Sequence, residues 1–459
     1  MANEVTKLNG IAIASITDLN GITDANLAKI NGQEFTGSTD ASLTTMTNYD
    51  LPDAGRVWSP WITYDPNTDQ HILVYGDDGN SDYGTVRTVI RNGNAFVFGD
   101  EYVYQSGTNY LCIAFYDDSR DKVAMASVNT DDYNNIYLRS FDVGAKQSST
   151  NPYDFSASDF DTATNATGNN SAYVQQCGQN FFDYNPNYDT YMLMYEDNQT
   201  SGYNFIAACT QASDGTWTVG TRVQFENSTN DIFSAVYDDT IDRTVMLYGK
   251  GSGHSSTKFN VVKQSGTGNR TITLAGEISA AHTDNTPSYG GRKMCYYPEG
   301  NATLYMAADG NIYIARFTGN DGSGYSLDYH NDFGNFAYYM NMGAYDYHSL
   351  HYVKGRGRVA YTWVDTDDVK GCIIEWDGDT NNRNAEDVIH GYTGSVGGGT
   401  FTLTHRQDSQ YRMYGCFGET ELNQRGQALF GAVLGYGSIS SGDMIKALEV
   451  GDNGTTATI

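Results

Sequence analysis

From Trp58 to Phe98 the chain reads WSPWITYDPNTDQHILVYGDDGNSDYGTVRTVIRNGNAFVF. Four short strands are legible in it: Pro60–Tyr64, His71–Tyr75, Asp82–Arg91 and Ala95–Phe98. A tight turn, Asp65-Pro66-Asn67-Thr68-Asp69, joins the first two, and a polar loop, Gly76–Ser81, follows the second. Asn92-Gly93 separates the last two, a pair that favours primed hairpin turns because both central residues take positive φ. Apolar and aromatic residues fill the runs, and Gly, Asn, Asp and Pro fill the gaps. One such sheet cannot cover both its faces, so copies of it are expected.

The copies are present. Tyr64-Asp65, with Asp69 five residues on and Tyr75 eleven on, is matched by Tyr184-Asn185 with Asp189 and Tyr195, and by Tyr237-Asp238 with Asp242 and Tyr248. Tyr116-Asp117 with Asp121 keeps the first part, while Tyr297, Tyr352 with Trp363, and His405 hold the place in decayed form. The intervals between these anchors are 52, 68, 53, 60, 55 and 53 residues. A sandwich of the same strands needs no regular period. The spacing therefore predicts an all-β, seven-bladed β-propeller of four-stranded antiparallel blades over residues 57–450. The 68-residue interval is explained by a polar insertion, Lys146–Asn170, expected to be a surface loop. Phe401–His405, Tyr411–Phe417 and Ala428–Leu434 are expected in the last unit. Either Thr44–Tyr49 or Met444–Val450 is expected as its outermost strand, tying the ends together.

The residues between the anchors carry a resemblance. Tyr75–Gly99, YGDDGNSDYGTVRTVIRNGNAFVFG, and Ile113–Val123, IAFYDDSRDKV, resemble the repeats of phage tail-fibre and related virion-appendage proteins. Asp214–Thr221, DGTWTVGT, fits the same pattern. The likeness is close in units one to four and weak in units five to seven. It implies a propeller-type repeat carried on a virion and identifies no ligand.

Residues 1–36 differ in kind. Leu8-Asn9-Gly10, Leu19-Asn20-Gly21 and Ile30-Asn31-Gly32 recur every eleven residues, with short apolar runs between them. Each Asn-Gly predicts a turn between short extended or helical pieces, and the segment is too short for a core of its own. It resembles N-terminal stretches of virion proteins of marine phages, which implies docking on the particle. The candidate docking residues are Leu8, Asn9, Ile11, Leu19, Asn20, Ile22, Leu27, Ile30 and Asn31. Residues 37–56 read as a Ser/Thr/Asp/Gly-rich connector and residues 451–459 as a polar tail.

Composition bounds the partners. The 459 residues carry 27 Lys and Arg against 55 Asp and Glu, a net charge of −28, which argues against nucleic acid and anionic membrane surfaces as partners. Thirty-six Tyr supply amphipathic contact area, although most are expected simply to fill strands. The six Cys stand singly, with no CxxC pair, and are expected as free, buried thiols. No secretory signal and no membrane-spanning stretch is legible. A protein folded in a reducing cytoplasm and destined for the virion fits these features.

Chemistry is sparse. Ser213-Asp214-Gly215-Thr216-Trp217 is the one string like the Asp boxes of propeller sialidases, arginines are few, and no GxSxG elbow appears, so no enzyme is expected. His348 and His351, three apart on a strand, face opposite sides and cannot share a metal ion. Asp77–Asp82, Glu196-Asp197-Asn198 and Asp365 with Asp367 and Asp368 offer hard oxygens to Ca²⁺. Asx residues also serve as plain turn formers, and that reading is preferred, so no cofactor is expected. What remains is binding. Loops after Tyr75, Tyr195, Tyr248 and Trp363 open on one end of the sheets, opposite the Tyr-Asp turns, and their Asp, Asn, Tyr and His suit sugar hydroxyls and ring faces. Asp77, Asp78, Asp82, Tyr83, Asp197, Tyr203, His254, Asp365 and Asp367 are the candidate ligand-binding residues, expected on exposed loops.

The sequence reading is thus of a phage virion appendage, a tail or neck fibre. It would be a homo-oligomer, anchored to other virion proteins by its N-terminus and presenting a propeller to a host-surface glycan. A decoration or cement protein that binds only virion proteins is the competing class, and a polysaccharide-trimming hydrolase the third.

Overall fold

A computed structural model describes residues 57–92, 95–148, 150–168, 172–173, 181–197, 202–227, 233–250, 256–280, 294–306 and 312–332, and elsewhere little beyond the backbone of short strands. The chain is all-β, and every pairing between its strands is antiparallel. In unit one Val57–Asp65, Gln70–Asp77 and Tyr83–Asn92 pair in order. The hairpin to Ala95–Phe98 closes at Asn92↔Ala95, so Asn92 belongs to the strand and not to the turn expected at the Asn92-Gly93 pair. The long strand Tyr102–Asp117 belongs to two units. Its first half pairs with Tyr83–Asn92 and its second with Lys122–Asn129, which leads to Asn135–Phe141 and Thr164–Asn165.

Units three to six repeat the plan. Their first strands are Phe182–Asn185, Phe233–Asp238, Met294–Tyr297 and His348–Val353, and each pairs with the strand that follows. The register corrects one anchor. Each anchor tyrosine faces the residue seven positions on, as in Tyr237↔Thr244, and Tyr296↔Thr303 obeys this rule, so Tyr296 rather than Tyr297 is the fifth anchor. Asn301, five residues after Tyr296, takes φ 45°, as the Asp five residues after each earlier anchor takes φ near 50°. The last sheet is Arg412–Gly418, Ala428–Tyr436 and Met444–Gly451. His405 lies outside the described residues. Both terminal candidates are used at once: Thr47–Asp50 pairs with Met444–Gly451, in the register Met444↔Asp50 to Ala447↔Thr47.

The central strands explain the packing. Gln70–Asp77 and Thr190–Asp197 are buried along their whole length, so both faces of these sheets are covered. One apolar cluster runs through Ile72, Val74, Ile113, Met125, Leu138, Leu193 and Met246, and a second joins Leu247 and Phe259 to Met294 and Tyr305. First strands also lie beside one another. Val57–Asp65 adjoins Tyr102–Asp117, Phe233–Asp238 adjoins both Phe182–Asn185 and Met294–Tyr297, and Arg412–Gly418 adjoins both His348–Val353 and Val57–Asp65. The Trp61 indole N–H donates to Ala114 O at 2.7 Å across the first of these junctions.

The insertion Lys146–Asn170 in unit two lies at the surface, as expected, but it is fastened there. Phe155 is buried against Phe141 (5.5 Å between ring centres) and Phe160 stacks on Tyr102 at 5.0 Å. Thr88 Oγ1 donates to Tyr153 O at 2.5 Å, and Asp100 N to Asp154 Oδ1 at 2.7 Å, so this segment of unit two is fastened onto unit one. Residues 7–34 form three two-residue-strand hairpins, Lys7–Leu8 with Ile11–Ala12, Asp18–Leu19 with Ile22–Thr23, and Lys29–Ile30 with Gln33–Glu34. No helical piece appears among the described residues of this segment. Cys112, Cys209 and Cys295 are buried and stand outside any disulfide, and burial pushes the Cys209 thiol up to about 12.

Candidate functional site

The turns between first and second strands join neighbouring units. Asp69, Asp121, Asp189 and Asp242 stand at φ 54°, 54°, 51° and 54°, the left-handed region that a short polar side chain tolerates. Glycine would fit the backbone but bring no carboxylate. Asp121 Oδ1 accepts from Tyr116 OH at 2.7 Å and from Asn67 Nδ2 of the preceding unit at 2.9 Å. Asn187 repeats this on Tyr237 (2.5 Å) and Asp242 (2.7 Å), and the Thr240 and Tyr296 hydroxyls lie 2.9 Å apart. Between units two and three Arg120 does the work, donating to Asp189 through both terminal nitrogens (2.6 and 2.5 Å) and to buried Asp117 at 2.7 Å. Burial first, then the adjacent carboxylate, holds the Tyr116 and Tyr237 phenols well above their ordinary range, so both remain donors.

The residue after each anchor tyrosine makes a second joint. Asp117 accepts from Tyr191 OH at 2.6 Å, Asp238 from Thr303 Oγ1 at 3.0 Å, and Asn185 donates to Gln264 Oε1 at 2.9 Å. Burial pushes Asp238 up to about 6, offset only in part by hydrogen bonds from Thr303 and Thr240. A carboxylate raised in the folded state contributes stability that is full below the unfolded value near 4 and is lost as pH rises through 6. Asn185 shows that an amide fits the equivalent place. Asp238→Asn is therefore expected to raise stability at pH 7.5 by about 2–3 kcal/mol, roughly two pKa units of removed penalty. It should also flatten the pH dependence between about 4 and 6. Urea melts at both ends of that window check it, and an unchanged profile would count against the assignment.

The opposite ends of the sheets carry the loops between second and third strands. In unit one Asp77 Oδ1 accepts from Gly79 N at 2.9 Å, Ser81 and Asp82 both take φ 60°, and Tyr83 opens the next strand. In unit two Asn129 Oδ1 accepts from Asp131 N at 3.1 Å, and Tyr133 and Asn134 take φ 54° and 58°. The two loops are one design. They meet the same crossover, since Asn109 N donates to Asp82 O at 2.8 Å and Thr108 N to Asp131 Oδ2 at 2.9 Å.

The expected ligand residues divide. Asp82 and Tyr83 are half-buried beside this crossover, and Tyr203 is half-buried where the Tyr203–Gln211 strand starts. Asp77 and Asp197 do not stand on exposed loops. Both are buried at the ends of central strands, and Asp197 pairs with Arg222, whose guanidinium also lies 4.1 Å from the centre of the Phe205 ring. A substitution there disturbs the fold first. The side chain of Asp78, and residues His254 and Asp367, lie outside what is described, and Asp365 is described only as the last residue of the strand Arg358–Asp365. The sequence reading missed Tyr133, the one large apolar side chain that stands exposed among the described residues. Aligning Asp77–Tyr83 with Asn129–Asn135, both second-to-third-strand loops, would have placed it in such a loop, though not shown which way its ring faces.

The Asp-box-like string is a turn. Asp214 Oδ1 accepts from Thr216 N at 2.9 Å and places Trp217 in the core, 5.0 Å from the Tyr191 ring centre. Among the described residues no three His, Cys, Asp or Glu side chains converge to hold a metal ion.

No known protein family and no curated protein matches the sequence. A crystal structure of the S. cerevisiae core factor overlays 92% of this chain on 63% of its own, at 10% identity and a TM-score of 0.49. The chain thus spans less than two thirds of that structure, and the similarity is too low to bear on fold or function.

Proposed function

We propose that the chain is a seven-bladed β-propeller that serves a bacteriophage as a virion appendage, docked through its N-terminal hairpins and presenting its loop end to a glycan on the host surface. The observation that carries this reading is the division of labour between the two ends of the sheets. At one end, described turn side chains are engaged by the neighbouring unit. At the other, the two described loops differ in sequence, and one of them carries the exposed ring of Tyr133. First strands that adjoin from unit one to unit two and from unit three onward back to unit one, the Phe115–Phe182 contact between units two and three, and a chain end shared between Thr47–Asp50 and Met444–Gly451 support the closed ring. Its place on a virion rests on the repeat resemblance, and binding rather than catalysis is the activity proposed.

The docking role falls on the hairpins. Leu8↔Ile11 and Leu19↔Ile22 set apolar pairs beside their Asn-Gly turns, and hairpins this short need a partner to be stable. Leu27 and the turn residues Asn9, Asn20 and Asn31 lie outside the described residues. Deleting residues 1–36 retains Thr47–Asp50 and hence the shared sheet. The expected result is an unchanged melting temperature with incorporation into particles largely abolished. Normal incorporation would remove the docking role. Purified full-length protein should also compete with phage for adsorption to host cells, and failure to compete would favour the cement reading.

A further inference from the structure

We infer that Tyr133 is a stacking platform for a sugar ring, and that the loop Asn129–Asn135 holds it ready for a neutral saccharide chain. The inference rests on the glycan-binding reading and narrows it to one side chain. Tyr133 is 73% exposed and makes no hydrogen bond or ring contact with the described residues. Its backbone is left-handed, φ 54°, a conformation that Asn or Gly adopts readily and an aromatic residue rarely does. Nothing in the fold calls for tyrosine here, because Ser81 fills the equivalent place in unit one at φ 60°. A residue unfavourable to the backbone and useless to the core points to something outside the molecule.

The support beneath the ring is rigid. Thr130 N donates to Thr108 O at 2.9 Å, Thr108 N to Asp131 Oδ2 at 2.9 Å, and Asn135 N to Asp132 O at 2.9 Å. Asp132 Oδ2 accepts from Asn135 Nδ2 at 3.2 Å and from the Tyr137 hydroxyl. Hydrogen bonds from Tyr137 and then Asn135 hold the Asp132 carboxyl below the usual range, so it stays an acceptor. In both carboxylates these bonds fall on Oδ2, which leaves Oδ1 to accept from a hydroxyl. An exposed aromatic face flanked by carboxylate acceptors on a fixed loop suits a pyranose, whose apolar C–H face stacks while its hydroxyls donate. A chain of net charge −28 repels polyanions, which selects neutral saccharides.

The full-length chain is tested on an array of neutral hexose and N-acetylhexosamine oligosaccharides, with hits followed by calorimetry and each variant's melting curve recorded. Wild type is expected to bind. Tyr133→Ala and Tyr133→Asn should weaken binding by about tenfold or more, as truncation of an aromatic anchor does. Tyr133→Trp should retain binding. The melting temperature of Tyr133→Asn should hold or rise, because asparagine relieves the backbone. Wild-type binding with equal binding by the alanine and asparagine variants overturns this inference and spares the glycan reading. A wild type that binds no saccharide overturns both. Capture of a host protein that depends on Tyr133, with no saccharide bound, overturns the ligand class.

Discussion

Replacing Arg120 by alanine is expected to destabilise the protein by about 3 kcal/mol, because it strips the cation from a buried carboxylate while leaving that carboxylate in place. The Asp117 side chain is fully buried, and the Arg120 side chain is 14% exposed. Three other donors remain on Asp117: Ser119 N at 3.0 Å, Ser119 Oγ at 2.6 Å and Tyr191 OH at 2.6 Å. They keep the loss at the lower end of the range of roughly 3–5 kcal/mol for breaking a buried pair. Arg120→Lys should recover only part of it, since one ammonium cannot reproduce the two-pronged contact with Asp189 and the bond to Gln211 O at 3.0 Å. The sign with pH follows from Asp117. Burial pushes its carboxyl up, but bonds from Ser119, Tyr191 and Arg120 outweigh it and hold the group below 3.8. That contribution is present above the unfolded value and is lost as pH falls through the folded one. The gap between wild type and Arg120→Ala should therefore narrow in acid. Urea midpoints at pH 7 and pH 3 measure both effects. A loss under about 1 kcal/mol at pH 7 would mean that the pair behaves as a solvated surface bridge.

Phe155→Ala is expected to cost about 3–5 kcal/mol, the range for an aromatic removed from a packed core. Phe155 is 8% exposed and meets Tyr153 at 5.6 Å and Phe160 at 5.8 Å as well as Phe141. Gln70 of unit one holds the insertion and the chain leading into it: Tyr153 N donates to Gln70 Oε1 at 2.8 Å, and Gln70 Nε2 donates to Gly144 O, two residues before the insertion, at 2.8 Å. Loss of the ring should loosen the whole segment, so limited proteolysis within residues 146–170 should quicken along with the fall in melting temperature. A surface loop would shift stability by no more than about 0.5 kcal/mol. A change that small would restore the solvated-loop reading.

The sequence was misleading where a local pattern had two registers. Tyr296 and Tyr297 are adjacent, and only the pairing with Thr303, together with the left-handed Asn301, tells which is the anchor. The insertion lies at the surface as its composition implies, but its anchoring is not legible there, because Ser, Thr, Asn and Asp dominate it and its rings, Tyr153, Phe155 and Phe160, are few. Composition averages over a segment, whereas burial is decided residue by residue. Asp77 and Asp197 look like loop residues because Gly, Asn and Gln follow them. Their own positions close the central strands, and a strand end inside a stack of sheets is buried.

Local rules were enough for the repeat itself. The alternation of apolar runs with Asx and Gly turns, and the recurrence of Tyr-Asp with Asp five residues on, determined antiparallel strands in copies and located the anchors of units one to four. Those features depend on φ preference and side-chain period, which neighbouring residues carry with them. Tertiary structure alone decided the partners: Asn67 with Tyr116 and Asp121, Arg120 with Asp189, Asp238 with Thr303, and Thr47–Asp50 with Met444–Gly451. Each joins residues 49 to about 400 positions apart, a separation at which chain connectivity no longer favours any one partner over another. Tyr133 belongs to the same class, for the string Asp-Asp-Tyr-Asn-Asn gives its turn, but only the packed loop beneath it shows that the ring faces out.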